Sequence, residues 1–433
     1  MKEAARVQST IDLYTRVMAG RVPMDAVIRD FMAARRFIGS KDRTAIVERA
    51  YRLMRHHARL GWWVERAGLT NLSRNRVLAD LVLNEQRGDG DIAALFAGGQ
   101  YEPEALTDTE RTAIVFWNGK SVDDPSMPAD VRGECPAWAA EKLHALFGKA
   151  FDTHMAAMVV PATLDLRVNT MKGSVEEARA SLAADNVIAS PMAYSPIGLR
   201  VYGKPFMSDS KAYKKGFVEI QDEGSQLIAL VTGAKPSMRV LDFCAGGGGK
   251  TLVLAAMMEN KGNIVAMDNS TKRLEKGKIR YKKAGVPNVE TRSLEEEQHR
   301  KWLRRQKGTM DVVLVDAPCS SSGTWRRNPD LRWNQYGPTL EEIIVMQAEI
   351  LDRVADKVKP GGRLVYATCS LFREENEDQI ASFLSRHPDY KILPLKQAWE
   401  GDPDRIPNDG DFLRLYPAAH GTDGFFAAIL QKQ

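Results

Sequence analysis

Hydrophobic positions along the first 85 residues recur at helical spacing. Ile11, Leu13, Tyr14 and Val17 form one such set, and Val47, Ala50, Tyr51 and Met54 another, with Gly20, Gly39 and Gly68 as punctuation. No strand-like alternation interrupts them, so residues 3–85 are expected to be helical. Polar, turn-rich stretches follow at GDGD (88–91), AGGQYEPE (97–104) and GKSVDDPSMPAD (119–130), and they mark a first boundary. Beyond it the pattern mixes. Ala137–Phe147 reads as helix, TLDLRVN (163–169) alternates as a strand, and Ser174 with Glu177 forms a capping-box signature ahead of ARASLAAD. Further short strands are expected at Leu199–Tyr202 and Phe217–Ile220.

From Gln221 onward strands and helices alternate. Strands are expected at Arg239–Phe243, Asn263–Asp268, Asp311–Asp316 and Gly362–Thr368. Helices fall between them at Lys250–Glu259, Ser270–Ala284 and Thr339–Lys357, and DGFFAAILQK offers a last edge strand. Such a succession predicts a parallel sheet with helices on both faces. The fold class is therefore multidomain: an all-α domain plus linker over 1–125, a small α+β domain over 126–220 and an α/β, Rossmann-like domain over 221–433.

Composition narrows the setting. A chain of 433 residues exceeds one average core, and no apolar run approaches the ~20 residues that cross a bilayer. The N-terminus lacks a signal-peptide pattern. Four scattered cysteines (Cys135, Cys244, Cys319, Cys369) without a CxxC pair argue against a disulfide framework and against a zinc site. The expectation is a cytoplasmic, metal-free protein with no membrane association. Net charge is only +5, but basic residues cluster. Arg29, Arg35, Arg36, Arg43, Arg49, Arg52, Arg55 and Arg59 lie near the N-terminus; Lys272–Lys283, Arg300–Lys307 and Arg326, Arg327 and Arg332 follow. Clustered Lys and Arg suit a phosphate-backbone partner, although solvated helix faces produce the same pattern.

Candidate chemistry begins at RVLDFCAGGGGKTLVLAAMM, which places Gly246, Gly247, Gly248 and Gly249 between a strand and a helix. A loop of this kind lets backbone approach a nucleotide-like ligand at the C-terminal edge of the sheet. A phosphate-binding P-loop fails in register, because its first required glycine falls on Cys244. The dinucleotide pattern fails near Thr251 and Leu252. S-adenosyl-L-methionine fits better: Asp242 suits a cationic amino-acid group, and Asp268 ends the next strand about 20 residues on, where an acid accepts from ribose hydroxyls. The competing role for Asp268 is a helix N-cap, a task open also to Asn269 or Ser270.

Two cysteines follow two other strands, in DVVLVDAPCSSSGTW and GGRLVYATCSLF. A parallel sheet brings such loops to one edge, beside the glycine loop. Either thiol alone reads as a buried structural residue; two in equivalent loops, each followed by serine, point to chemistry. Carbon 5 of cytosine cannot attack a methyl sulfonium unaided, but a thiolate adding at carbon 6 makes it nucleophilic. Asp316 is placed to stabilise charge developing on the ring.

QDEGSQL (221–227), DFCAGGGGK (242–250), DAPCSSSGT (316–324) with RRNPDLRW, ATCS (367–370) with ENE (375–377), and DGFF (423–426) together resemble the RNA (cytosine-5) methyltransferase family of the bacterial Sun type. The resemblance implies a class I methyltransferase forming 5-methylcytosine, with 16S ribosomal RNA as the expected partner and a monomeric state. It implies Cys369 as nucleophile, Cys319 assisting release, and Lys250 and Asp316 near the target base. The implied cofactor set is Cys244, Ala245, Gly246, Gly247, Gly248, Gly249, Lys250, Asp268, Arg273 and Asp316. SKDRTAIVERAYRLMRHH looks like a NusB-like helical RNA-binding domain, and PATLDLRVNT like the family's small RNA-recognition-like domain. Departures are Gly247 for the usual proline, Arg292 and Ser293 where an acid often meets the adenine, and Ser321 and Ser322 for glycine and threonine. A P-loop NTPase and a catalytically idle RNA-binding assembly factor are the rival classes. Cys244 speaks against the first and the intact cysteine pair against the second.

Overall fold

The computed structural model describes residues 1–20, 22–203 and 205–433. Two compact units divide the chain: Met1–Pro161 with Thr324–Pro338, and Ala162–Gly323 with Thr339–Gln433. The cut expected at 125/126 falls inside the first unit, and the one at 220/221 inside the second.

The first unit is helical. Helices Glu3–Met18, Ser40–Arg55 and His57–Arg66 each bury one side and Ser73–Leu83 is buried on every face from Asn75 onward, contributing Val7, Leu13, Leu53, Leu60, Trp63 and Leu81 to a shared core. Much of the arginine cluster turns out to be architecture. Arg49 pairs with Glu3 and Glu85, Arg52 with Asp80 and Glu85, and Arg59 with Asp123. Buried guanidinium groups need such partners, because desolvating an unpaired charge is costly. The expectation that these arginines face RNA phosphates is corrected for the three. Arg29 and Arg36, by contrast, are exposed.

Segment 324–338 completes this unit. Trp325 is fully buried, and the Arg332 guanidinium donates to the carbonyls of Gly133, Glu134 and Met158. Asp330 accepts from the Met24 amide at 2.9 Å, and the Trp333 indole donates to the Met54 carbonyl at 3.2 Å. Arg326 and Arg332, also read as RNA-facing, are therefore interior, at 6% and 1% exposure.

The second unit holds two sheets. Strands β1 (Leu164–Val168), β2 (Ala189–Pro191), β3 (Gly198–Val201) and β4 (Val218–Ile220) form an antiparallel sheet in the order β2-β3-β1-β4. The helix opened by Ser174 crosses it, and its capping box with Glu177 is present. The larger sheet comprises β5 (Arg239–Phe243), β6 (Asn263–Asp268), β7 (Val289–Ser293), β8 (Met310–Asp316), β9 (Val358–Thr368), β10 (Tyr390–Ile392), β11 (Leu413–Leu415) and β12 (Phe425–Lys432). Its order is β10-β12-β9-β8-β5-β6-β7, with β11 paired to β12. Strands β5 to β9 are parallel to one another.

Alternation along these strands builds both faces. Val240, Ile264, Leu314 and Val365 pack under helices Glu223–Leu230 and Gly249–Met257. Leu241, Val265, Val313 and Leu364 pack on the other side, against helices Leu340–Ala355 and Glu377–Arg386. Two corrections apply. The sheet is mixed, since β10, β11 and β12 run antiparallel to their neighbours. The final strand is interior, because Phe425 to Leu430 are all buried and β12 bonds to β9 on one side and to β10 and β11 on the other. A run apolar on both faces needs cover on both.

Candidate active site

The glycine loop leaves β5 at Phe243 and turns sharply. Cys244, Gly246 and Gly248 take φ of 70°, 56° and 78°. Such angles suit glycine and strain Cys244. A Cβ on Gly248 would lie 2.2 Å from the Tyr281 hydroxyl, whereas one on Gly246 would meet nothing within 4 Å. The loop is thus packed beneath and open above, which leaves room for a ligand on the exposed side.

Carboxylates surround it. Asp268, at the end of β6, accepts from the Gly246 amide at 2.9 Å and from the Ser270 amide at 2.8 Å. Ser270 is the N-cap of helix Thr271–Ala284, so Asp268 braces the glycine loop instead of capping. Asp242 is fully buried; one oxygen accepts from the Thr251 hydroxyl at 2.6 Å and the other has no partner. Burial pushes its carboxyl up to about 7. An unpartnered buried acceptor beside an open loop is what a cationic amino-acid group would satisfy. Arg273 stands exposed on its helix, apart from this cluster. Arg292 forms an ion pair with Glu290, and Ser293 is buried.

A cavity of about 310 Å³ opens beside the loop, lined by Gln221, Asp242, Gly247, Lys250, Arg280 and Asp316 among others. Lys250 reaches Asp316 at 2.6 Å. Burial works to lower its ammonium, but Asp316 outweighs burial, and the net shift is upward. Lys250 is therefore a fixed cation. Arg280 donates to the Gly247 carbonyl at 2.6 Å and pairs with Glu219 of β4 at 3.2 Å. Sequence reasoning quoted QDEGSQL without assigning it a task and missed Arg280 as a pocket residue; the motif around Gln221 was the available signal.

Strands β8 and β9 are neighbours, so the loops that follow them lie side by side. This brings the Cys319 and Cys369 sulfurs to 3.3 Å. Ser321 Oγ lies 3.5 Å from Cys369 Sγ. The hydrogen bond from Cys319 holds the Cys369 thiol below its ordinary range against the opposing effect of burial, with Ser321 and Lys250 adding to the effect. Cys319 is driven well above it by the same bond and by burial. The two thiols are thus shifted in opposite directions, Cys369 down and Cys319 up. Cys244 is raised by burial and stays a thiol. Cys135 is buried in the helical unit.

Beneath the pair lies a network that sequence reasoning did not anticipate, although ENE was noted. Glu375 accepts from Ser320, Ser370 and Gln347 and has no exposed surface. Among the described residues no group of His, Cys, Asp and Glu is arranged to hold a metal ion. Among the same residues no helix is long and apolar enough to cross a membrane.

A glycine loop between the first parallel strand and a helix, braced by the acid that ends the second strand, defines the Rossmann-like class of S-adenosylmethionine-dependent methyltransferases. Residues 229–431 match the family model described as 16S rRNA methyltransferase RsmB/F, and residues 135–205 match that of the RsmF/B-like ferredoxin-like domain. The chain belongs to this RsmB/F methyltransferase family. Its cofactor is accordingly S-adenosylmethionine. A probable ribosomal RNA small subunit methyltransferase B from Synechocystis sp. is 34% identical over 302 residues, 69% of this chain and 66% of that protein. Ribosomal RNA small subunit methyltransferase F from Cronobacter sakazakii is 32% identical over 293 residues, 66% of this chain and 60% of that protein. The chain thus spans a little under two thirds of these relatives' own length. The crystal structure of PH0851 is similar over 100% of this chain and 99% of that one, with a TM-score of 0.78 and 28% identity.

Proposed function

We propose that this enzyme methylates carbon 5 of a cytosine in small-subunit ribosomal RNA through a covalent bond between Cys369 and carbon 6. The observation that carries the reading is the pair of thiols, 3.3 Å apart, on the loops after β8 and β9. The names of the relatives support the choice of RNA. In this reading residues 221–433 perform the chemistry, while the helical residues 1–125 and the small domain over 126–220 contact RNA. The glycine loop, Asp268 and the free oxygen of Asp242 hold the cofactor, whose sulfonium supplies the methyl group.

The steps assign each residue a task. The Cys369 thiolate bonds to carbon 6, and the electron pair of the ring double bond moves to carbon 5. Lys250 and Asp316, held as a pair, stabilise charge on the ring near N3 and the exocyclic amine. Carbon 5 accepts the methyl group. The Cys319 thiol releases its own proton to solvent and, as the thiolate, takes the carbon 5 proton; the electron pair of that C–H bond re-forms the ring double bond, and the bond from Cys369 to carbon 6 breaks with its pair returning to the Cys369 sulfur. Cys319→Ala should therefore methylate and then stall, leaving a protein–RNA band that survives denaturing electrophoresis and vanishes in the double variant. A band that instead accumulates in Cys369→Ala and depends on Cys319 reverses the two roles.

A further inference from the structure

Glu375 is a carboxylate with no exposed surface and no basic partner among the described residues. Such a group is tolerated only when donors fill its lone pairs. One oxygen accepts from the Ser320 amide at 2.8 Å and the Gln347 side chain at 3.0 Å. The other accepts from the Ser320 hydroxyl at 2.5 Å and from the Ser370 hydroxyl. Ser320 follows Cys319 and Ser370 follows Cys369, so one carboxylate grips the residue after each thiol.

We propose that Glu375 is a positioning residue that selects Cys369 over Cys319 as the nucleophile, by locking both post-cysteine serines and keeping negative charge on the Cys319 side of the pair. This rests on the covalent reading above and deepens it. Three further groups face the thiols. Lys250 from its helix and Asp316 from the end of β8 act on Cys369, and the buried Tyr366 of β9 lies on the Glu375 side. Glu375 adds to the forces that keep Cys319 protonated, while Lys250 favours the Cys369 thiolate. Two thiols in contact share one proton badly unless a fixed charge breaks their symmetry; Glu375 accepts from the amide that follows Cys319 as well as from both serine hydroxyls, whereas Lys250 acts on Cys369.

Glu375→Gln keeps the shape, removes the charge and cannot accept from all four donors. The test is alkylation of the full-length protein with iodoacetamide, without RNA, followed by mass spectrometric mapping of initial rates across pH. In the wild type Cys369 should react more than about tenfold faster than Cys319 at neutral pH. In Glu375→Gln the ratio should fall towards parity, and the Cys369 profile should move to higher pH. Glu375→Asp should restore part of the preference, and kcat should drop in Glu375→Gln with the KM for S-adenosylmethionine unchanged. A wild-type ratio and profile in a folded Glu375→Gln protein overturns the proposal. Should that variant lose its melting transition, Ser320→Ala carries the test: a narrowed ratio supports the assignment and an unchanged one overturns it. Failure of the covalent reading shows elsewhere, as methyl transfer by Cys369→Ala.

Discussion

The glycine loop and the paired cysteine loops sit at the same edge of one sheet and are built from opposite materials. The glycine loop is a backbone object: its shape comes from positive φ angles, and the side chains around it, Asp268 and Arg280, bind its amide and carbonyl groups. The cysteine loops are a side-chain object, in which serines, Gln347 and Glu375 bond to one another. The first fails when an atom is added. The second fails when a charge is removed. Binding of the cofactor and activation of the nucleophile can therefore be damaged separately.

Four outcomes test that separation. Cys369→Ala should abolish methyl transfer and adduct formation while leaving S-adenosylmethionine affinity unchanged by calorimetry; a large loss of affinity would merge the two halves. Asp268→Ala should weaken the cofactor by roughly 1.5–3 kcal/mol, the range for a hydrogen bond to a charged group. It also frees the Gly246 amide, yet the iodoacetamide preference for Cys369 should persist. Gly248→Ala places a Cβ 2.2 Å from the Tyr281 hydroxyl at a φ of 78°. Strain of about 1–3 kcal/mol should appear as weaker cofactor binding, again with thiol reactivity intact. The smallest effect concerns pH. Asp242, pushed up to about 7 by burial, becomes a carboxylate as pH rises, so it gains the ability to pair with an ammonium group. Cofactor affinity should tighten severalfold from pH 6 to 8 and level off, and Asp242→Asn should bind weakly with a flat profile.

Local features were legible in the sequence because local rules set them. The strand and helix succession after Gln221, the capping box of Ser174 with Glu177, and the loop at Gly246 all depend on residues a few positions apart. The convergence of Cys319 and Cys369 was also legible, since parallel strands fix which ends meet. Long-range pairing was not. Arg52 and Asp80 are 28 positions apart, and Ser320 and Glu375 are 55 apart. No periodicity announces that an arginine will be consumed by a distant acid, so a cluster of charge looked like an RNA surface where much of it is a core ion-pair network. The interior place of β12 was hidden for a related reason: it depends on β10 and β11, two short strands that periodicity did not reveal.

Segment 324–338 carries a consequence for how the chain comes into being. Residues Met1–Pro161 leave the ribosome before residues Thr324–Pro338, so the interior of the helical unit lacks Trp325 and Arg332 until that later segment has been made. During that interval the carbonyls of Glu134 and Met158 await their donor, and the pocket for the indole stands open. Domains usually mature in order of synthesis. Here the order is interleaved: the helical unit is finished by residues that emerge only after Cys319 has been added, so Met1–Pro161 is not a finished unit when it is made.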